Sequence, residues 1–279
     1  MALSTQDMAI HMIERGQGAP TLFLHGAPDS GEMWNGVIER LEKHYHCYAP
    51  DLPGFGRSAV PADFRASLDY MAAFVERMIE RYGIATPLNL VVMDFGATYG
   101  LAWAASHPQQ VAHLAIVGGS NFSSRYQWHG TARLLRTPLL GDLGMAMLSL
   151  ASQEKMMRQN APLVSPEYVR SAYELSLSKP QTRRMMLKLY RSIDSKDFVG
   201  WEERLRELTA RVPTLVLWGD KDPFITPDYA ESFGTSNVEH FPENGHWLPL
   251  ELPGVVARRL KSFFAVGAPL AGGEIGREG

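Results

Sequence analysis

Three short segments hold the side chains best suited to chemistry. In Val92-Met93-Asp94-Phe95-Gly96-Ala97 a carboxylate follows an apolar run and precedes two small residues. Small residues at Gly96 and Ala97 permit a sharp strand-to-helix turn that lifts one side chain clear of a sheet, so Asp94 reads as a raised nucleophile or as a plain helix cap. In Leu217-Trp218-Gly219-Asp220-Lys221-Asp222-Pro223 a strand delivers two carboxylates, each a possible partner for an imidazole or a turn former. Glu243-Asn244-Gly245-His246-Trp247 places a histidine in a loop before the last helical stretch. A carboxylate is ionised at neutral pH and needs no base to attack an sp3 carbon. A histidine oriented by a second carboxylate can then take a proton from the water that hydrolyses the resulting ester.

These side chains act together only if the fold brings them to one edge. Short apolar runs ending in Gly or Asp alternate with helical patterns, the pattern of βα units feeding a mostly parallel sheet, so the expected class is α/β. Strands are expected over Thr21–Leu24, Cys47–Ala49, Leu88–Met93, Val111–Val117, Thr214–Trp218 and Val238–Phe241. Helices are expected over Leu68–Tyr82, Ala97–Ser106, Pro227–Phe233 and Pro253–Phe264. In such sheets ligands bind beyond the carboxyl ends of the strands, where all three segments fall. From about Asn121 to about Gly200 the rhythm breaks into helical stretches punctuated by Pro138, Pro162, Pro166 and Pro180. The expected organisation is a core of residues 1–120 and 201–266, a helical cap over 121–200 and a flexible Gly-rich tail over 267–279. Met145, Met147, Met156, Met157, Met185 and Met186 lie in the cap, as core filler or as an adaptable apolar lining.

Composition narrows the classes further. The 279 residues carry 27 Lys+Arg against 30 Asp+Glu, which leaves no electrostatic footprint for a nucleic-acid partner. Cys47 alone makes neither an internal disulfide nor a Cys-rich metal site, which fits a reducing, cytoplasmic setting. The first residues, MALSTQDMAIHMIERG, lack a basic region followed by an apolar one, so no secretory signal is expected; nor is there an apolar run long enough to span a membrane. No cofactor and no metal are called for, and the default assembly is a monomer or a homodimer.

The order Asp94, Asp222, His246, each after a different strand, is the nucleophile, acid, histidine order of an α/β-hydrolase. From Thr21 to about Phe264 the chain resembles the aspartate-nucleophile branch of that fold, which holds epoxide hydrolases and haloalkane dehalogenases. His25-Gly26-Ala27-Pro28 resembles the branch's HGxP turn, Asp51-Leu52-Pro53-Gly54-Phe55-Gly56-Arg57-Ser58 its DLPGxGxS loop, and Met93-Asp94-Phe95-Gly96 its HDWG elbow. No G-x-S-x-G occurs, which disfavours a serine esterase. The resemblance implies that Asp94 forms an alkyl ester, that His246 activates water, and that the backbone N–H groups of Ala27 and Phe95 form the oxyanion hole. It favours Asp222 over Asp220 as the acid, a choice local physics leaves open.

The leaving group separates the two activities. A haloalkane dehalogenase is expected to carry side-chain N–H donors after the nucleophile and in the HGxP turn, where this chain has Phe95 and Ala27, neither of which can donate. Epoxide hydrolases use cap tyrosines to protonate the oxygen. Tyr126, Tyr168, Tyr173 and Tyr190 are available; Tyr190, in Leu189-Tyr190-Arg191, resembles the second of the pair, and Tyr126 or Tyr173 is the candidate for the first. Trp128 and Trp247 are candidate lining residues. The expected activity is epoxide hydrolysis of a small hydrophobic substrate with water as co-substrate. The alternatives are a haloalkane dehalogenase and, from another class, a catalytically silent hydrolase-fold binding protein.

Overall fold

Buried, mostly apolar runs, flanked by a less buried strand at each edge, pair into a seven-stranded sheet ordered β1-β3-β2-β4-β5-β6-β7. The computed structural model of the protein describes residues 9–119 and 123–265. Six strands are parallel neighbours: β2 (Ala19–Leu24), β3 (Tyr45–Pro50), β4 (Leu88–Val92), β5 (Val111–Val117), β6 (Thr214–Gly219) and β7 (Val238–Phe241). Three of these, β2, β3 and β6, run past the expected limits by one or two residues at an end and β4 stops one residue short, a matter of ladder pairing rather than of pattern. A seventh strand, β1 (Met12–Arg15), pairs antiparallel with β3 at the edge. It was not expected, because four residues reading MIER show no run that stands out from a loop.

Every residue of β4 is buried, as a central strand covered on both faces requires. Of the expected helices, α2 (Leu68–Tyr82) and the last, Pro253–Phe264, form as read. Gly83, at φ 61°, ends α2 in a left-handed cap that glycine adopts without strain. The central helix α3 runs Phe95–Ser106 and is buried from Phe95 to Ala104, because it lies between the sheet and two helices, α2 and α9 (Trp201–Thr209). Pro227–Phe233 is a correction: it forms a 3-10 helix rather than an α-helix. A short α1 (Asn35–Leu41) carries no signal that had marked it in advance.

Between β5 and β6 the described residues form no strand. They make α4 (Gly130–Arg136), α5 (Leu140–Met147), α6 (Leu150–Asn160), α7 (Pro166–Ala172) and α8 (Pro180–Ser192) before α9 re-enters the core. The expected tail from Gly267 lies outside the described residues. Chain order and strand order diverge at β2: β3 pairs on one side of it and β4 on the other. That reversal opens a crevice at the carboxyl ends of β2 and β4, and the pairing of Leu24 with Val92 sets the turns that follow them side by side.

Candidate active site

Those two turns meet at Asp94. Its backbone is held at φ 47° and ψ −125°, a conformation that non-glycine residues rarely adopt and that raises the carboxylate off the end of β4. The turn closes only because its neighbours are small. A Cβ on Gly96 would lie 2.4 Å from the Leu24 carbonyl oxygen, and one on Gly26 would lie 2.7 Å from the Asp94 Cβ. The backbone N–H of Ala27 donates to Asp94 Oδ1 at 2.8 Å, and the N–H of Phe95 also bonds the carboxylate. Two backbone donors from turns far apart in sequence therefore converge on one carboxyl group.

The turn carrying Ala27 is fixed by a buried histidine. His25 Nδ1 lies 2.7 Å from the Gly26 carbonyl, while its Nε2 accepts the Leu52 N–H at 2.8 Å. Both contacts are satisfied only by the neutral Nδ1–H tautomer, and burial accordingly holds the His25 pKa below its ordinary value. Asp51 braces the same region, its two oxygens accepting the N–H groups of Gly31 and Arg57 at 2.8 Å each. The motif from Asp51 to Ser58 is thus the mount for the HGxP turn.

His246 follows β7 and reaches across to both carboxylates. Its Nδ1 lies 2.6 Å from Asp222 Oδ2, and its Nε2 lies 3.7 Å from Asp94 Oδ2. Asp222, almost fully buried, uses its other oxygen to accept the N–H groups of Phe224 at 2.8 Å and Ile225 at 3.1 Å. Asp220 is engaged elsewhere, 2.6 Å from His240 Nδ1 at the surface. Burial works against the imidazolium of His246, but the charge and hydrogen bond of Asp222 and the charge of Asp94 outweigh it, and the pKa rises. Burial raises the Asp94 pKa above the usual carboxylate range, against the pull of His246 and the two backbone bonds.

A cavity of about 240 Å³ opens over Asp94 and His246. The sheet side supplies Ala27, Phe95 and Trp247, and most of the remaining wall comes from the helices between β5 and β6. Met145, Met156 and Met186 are on that wall; Met157 and Met185 are buried elsewhere, and Met147 points to solvent. Tyr190 lines the cavity with its ring edge-on to Phe95 at 5.3 Å. Its hydroxyl makes no hydrogen bond to any described residue, and burial first, then the charge of Asp94, hold it in the phenol form. Tyr126 and Trp128 also face the cavity; the Tyr126 hydroxyl donates to the Phe224 carbonyl at 3.4 Å.

Two tyrosines are placed elsewhere. Tyr173, expected as a pocket residue, lines a neighbouring crevice, its hydroxyl donating to the Leu148 carbonyl at 3.4 Å and accepting from Arg183 at 3.1 Å. Tyr168 donates to Asp29 Oδ1 at 2.7 Å in the same crevice. Phe224 and His129 are among the cavity residues that the sequence does not single out. Phe224 stacks edge-on against His246 at 5.1 Å, and its place two residues after Asp222 was the available signal. His129 was one loop histidine among several. Among the described residues no group of three or more His, Cys, Asp or Glu side chains is spaced to hold a metal ion, and no helix is long and apolar enough to cross a membrane.

Comparison with known proteins gives a concordant family. The alpha/beta hydrolase fold family matches residues 20–253. A haloalkane dehalogenase of Agrobacterium fabrum is 36% identical over 109 residues, 39% of this chain and 35% of that protein. A cis-3-alkyl-4-alkyloxetan-2-one decarboxylase of Shewanella oneidensis is 25% identical over 96% of this chain and 89% of its own. Epoxide hydrolase 3 of Mus musculus is 24% identical over 90% of this chain and 72% of its own. The three relatives are named for three different reactions.

Proposed function

The chain belongs to the α/β-hydrolase fold family, of the haloalkane dehalogenase and epoxide hydrolase type, and from that premise we propose that it hydrolyses small hydrophobic epoxides to diols through an alkyl ester on Asp94. The observation that carries this reading is the division of labour between the two Asp94 oxygens. Oδ1 is held by the Ala27 N–H, while Oδ2 faces His246 at a distance too long for a hydrogen bond. Oδ2 is therefore the free nucleophile, and Oδ1 is already where the ester carbonyl oxygen must sit.

The reaction follows from this geometry. Oδ2 attacks a ring carbon, the C–O bond breaks, and the oxygen takes the Tyr190 proton. His246 then removes a proton from water, whose oxygen attacks Cγ of Asp94. The charge that develops on Oδ1 meets the N–H of Ala27 without reorganisation, the condition under which such donors are most effective, and the N–H of Phe95 is the second donor at the same carboxyl group. Collapse expels the product alkoxide, which takes the proton from His246; the second proton of the water leaves Asp94 and restores Tyr190 through solvent. Asp222 holds the ring in the tautomer that presents a bare Nε2 to the water. The helices of 121–200 act as the cap that closes this chamber, and their apolar wall suits a hydrophobic substrate.

Haloalkane dehalogenation is the second reading: Trp128 lines the cavity and its buried Nε1 has no hydrogen-bond partner among the described residues, so a side-chain shift that exposed it would offer a halide an indole N–H. Incubation with 1,2-epoxyhexane and 1-bromohexane, assayed for diol and for free bromide, tests the choice. Diol should form faster. Bromide release that outpaces diol formation reverses it, and the absence of both products returns the chain to the binding-protein class.

A further inference from the structure

His129 stands at the start of α4 with an extended backbone, φ −61° and ψ 164°, and caps the helix with its side chain. Nδ1 accepts the backbone N–H of Ala132 at 3.3 Å. A ring nitrogen that accepts carries no hydrogen, so the neutral ring must bear its proton on Nε2. That atom makes no hydrogen bond to any described residue, and the ring that carries it lines the cavity. The ring packs against Phe224 at 4.8 Å and edge-on towards Tyr190 at 6.3 Å. The cap thus fixes both the orientation and the tautomer of a donor on the same wall as the free Tyr190 hydroxyl.

We propose that His129 is a further catalytic residue, whose Nε2–H donates, together with the Tyr190 hydroxyl, to the oxygen that departs from the carbon attacked by Asp94. The inference rests on the epoxide reading above and takes it one residue further. As the Asp94 Oδ2–C bond forms and the C–O bond breaks, the electron pair moves onto that oxygen. Tyr190 supplies the proton, and His129 keeps its own and stabilises the developing charge. Its charge state is steady: burial first, then the nearby His246 and Arg133, lower its pKa to about 4 against an opposite pull from Asp222, so the ring stays neutral through ordinary pH. Protonation at Nδ1 would also break the cap.

Three substitutions separate this role from capping. His129→Asn keeps an N-cap side chain, which asparagine provides well, but is too short to place a donor in the cavity. His129→Gln restores reach and an N–H donor. His129→Leu removes cap and donor together. Each is introduced with His246→Gln, so that the ester on Asp94 accumulates and its formation from 1,2-epoxyhexane is timed by intact mass, with 1-bromohexane as the parallel substrate and circular dichroism as the check on folding. His129→Asn should form the epoxide ester at least tenfold more slowly than the His246→Gln parent while any bromohexane ester forms at an unchanged rate, and His129→Gln should recover most of the loss. Equal epoxide rates in His129→Asn and the parent overturn the inference, as does an equal slowing of both substrates. If the parent itself forms no ester with the epoxide, the epoxide reading fails, and this inference with it.

Discussion

His246 Nε2 and Asp94 Oδ2 face one another at 3.7 Å, close enough for charge to act and too far for a hydrogen bond to occupy the nucleophile. The consequence is a coupling that changes during the reaction. In the free protein the Asp94 charge helps to hold the His246 pKa up. Alkylation neutralises Asp94, removes that support and releases the ring to act as a base just when water must be activated.

Imidazole titration by NMR checks this. The wild type should titrate above the ordinary histidine value of about 6.5. Asp94→Asn, which mimics the neutral ester, should titrate lower, because the imidazolium loses an attractive charge. Asp222→Asn should fall further, since Asp222 provides the larger support. An unchanged or higher value in Asp94→Asn removes the coupling.

The ester on Asp94 is tested by intact mass after substrate addition. Asp94→Asn should show no adduct, whereas His246→Gln should alkylate and stall. A His246→Gln protein without adduct, offered a substrate the wild type consumes, contradicts the covalent mechanism.

Asp222 and Asp220 should behave differently in rapid-quench measurement of the two half-reactions. Asp222→Asn should form the ester and hydrolyse it at least a hundredfold more slowly, as loss of an imidazole-orienting carboxylate costs about 10⁴-fold in the best-studied triad. Asp220→Asn should stay near wild type, because its contact is to His240 at the surface. The reverse outcome moves the acid by two residues and leaves the chemistry intact.

Tyr190→Phe should lower epoxide turnover by about 10²-fold, the lower end of what a general acid contributes, without slowing ester hydrolysis. Epoxide turnover within threefold of wild type assigns the proton to another group.

Gly96→Ala should cost about 3 kcal/mol, the upper end for overpacking, because the added methyl would meet the carbonyls of Leu24 and His25, which are backbone and cannot turn away. Chemical denaturation measures it; a loss under about 0.5 kcal/mol, within the range of a neutral surface change, means the elbow is looser than its contacts imply.

The α/β alternation, six of the seven strands and the segments around Ala27, Asp94 and His246 were legible in the sequence because their signals are local. A buried central strand must be apolar throughout, and a turn that passes 2.4 Å from a neighbouring carbonyl admits glycine alone, so both leave their mark within a few residues. Local composition cannot report which of two adjacent carboxylates meets a distant ring. Asp220 and Asp222 are alike in sequence, and only the arrival of His240 and His246 from later segments leaves one at the surface and buries the other behind the cavity histidine. The same holds for the cap. Tyr173 and Tyr190 share a residue type and a helical setting, yet Arg183 draws one hydroxyl away while the other is left free. His129 acquires its tautomer from the Ala132 N–H and its place in the cavity from helix packing. Sequence determined which kinds of side chain reach the carboxyl edge of the sheet; the tertiary structure decided their partners, because hydrogen bonds and charge act over a few ångströms of space between residues tens of positions apart in the chain.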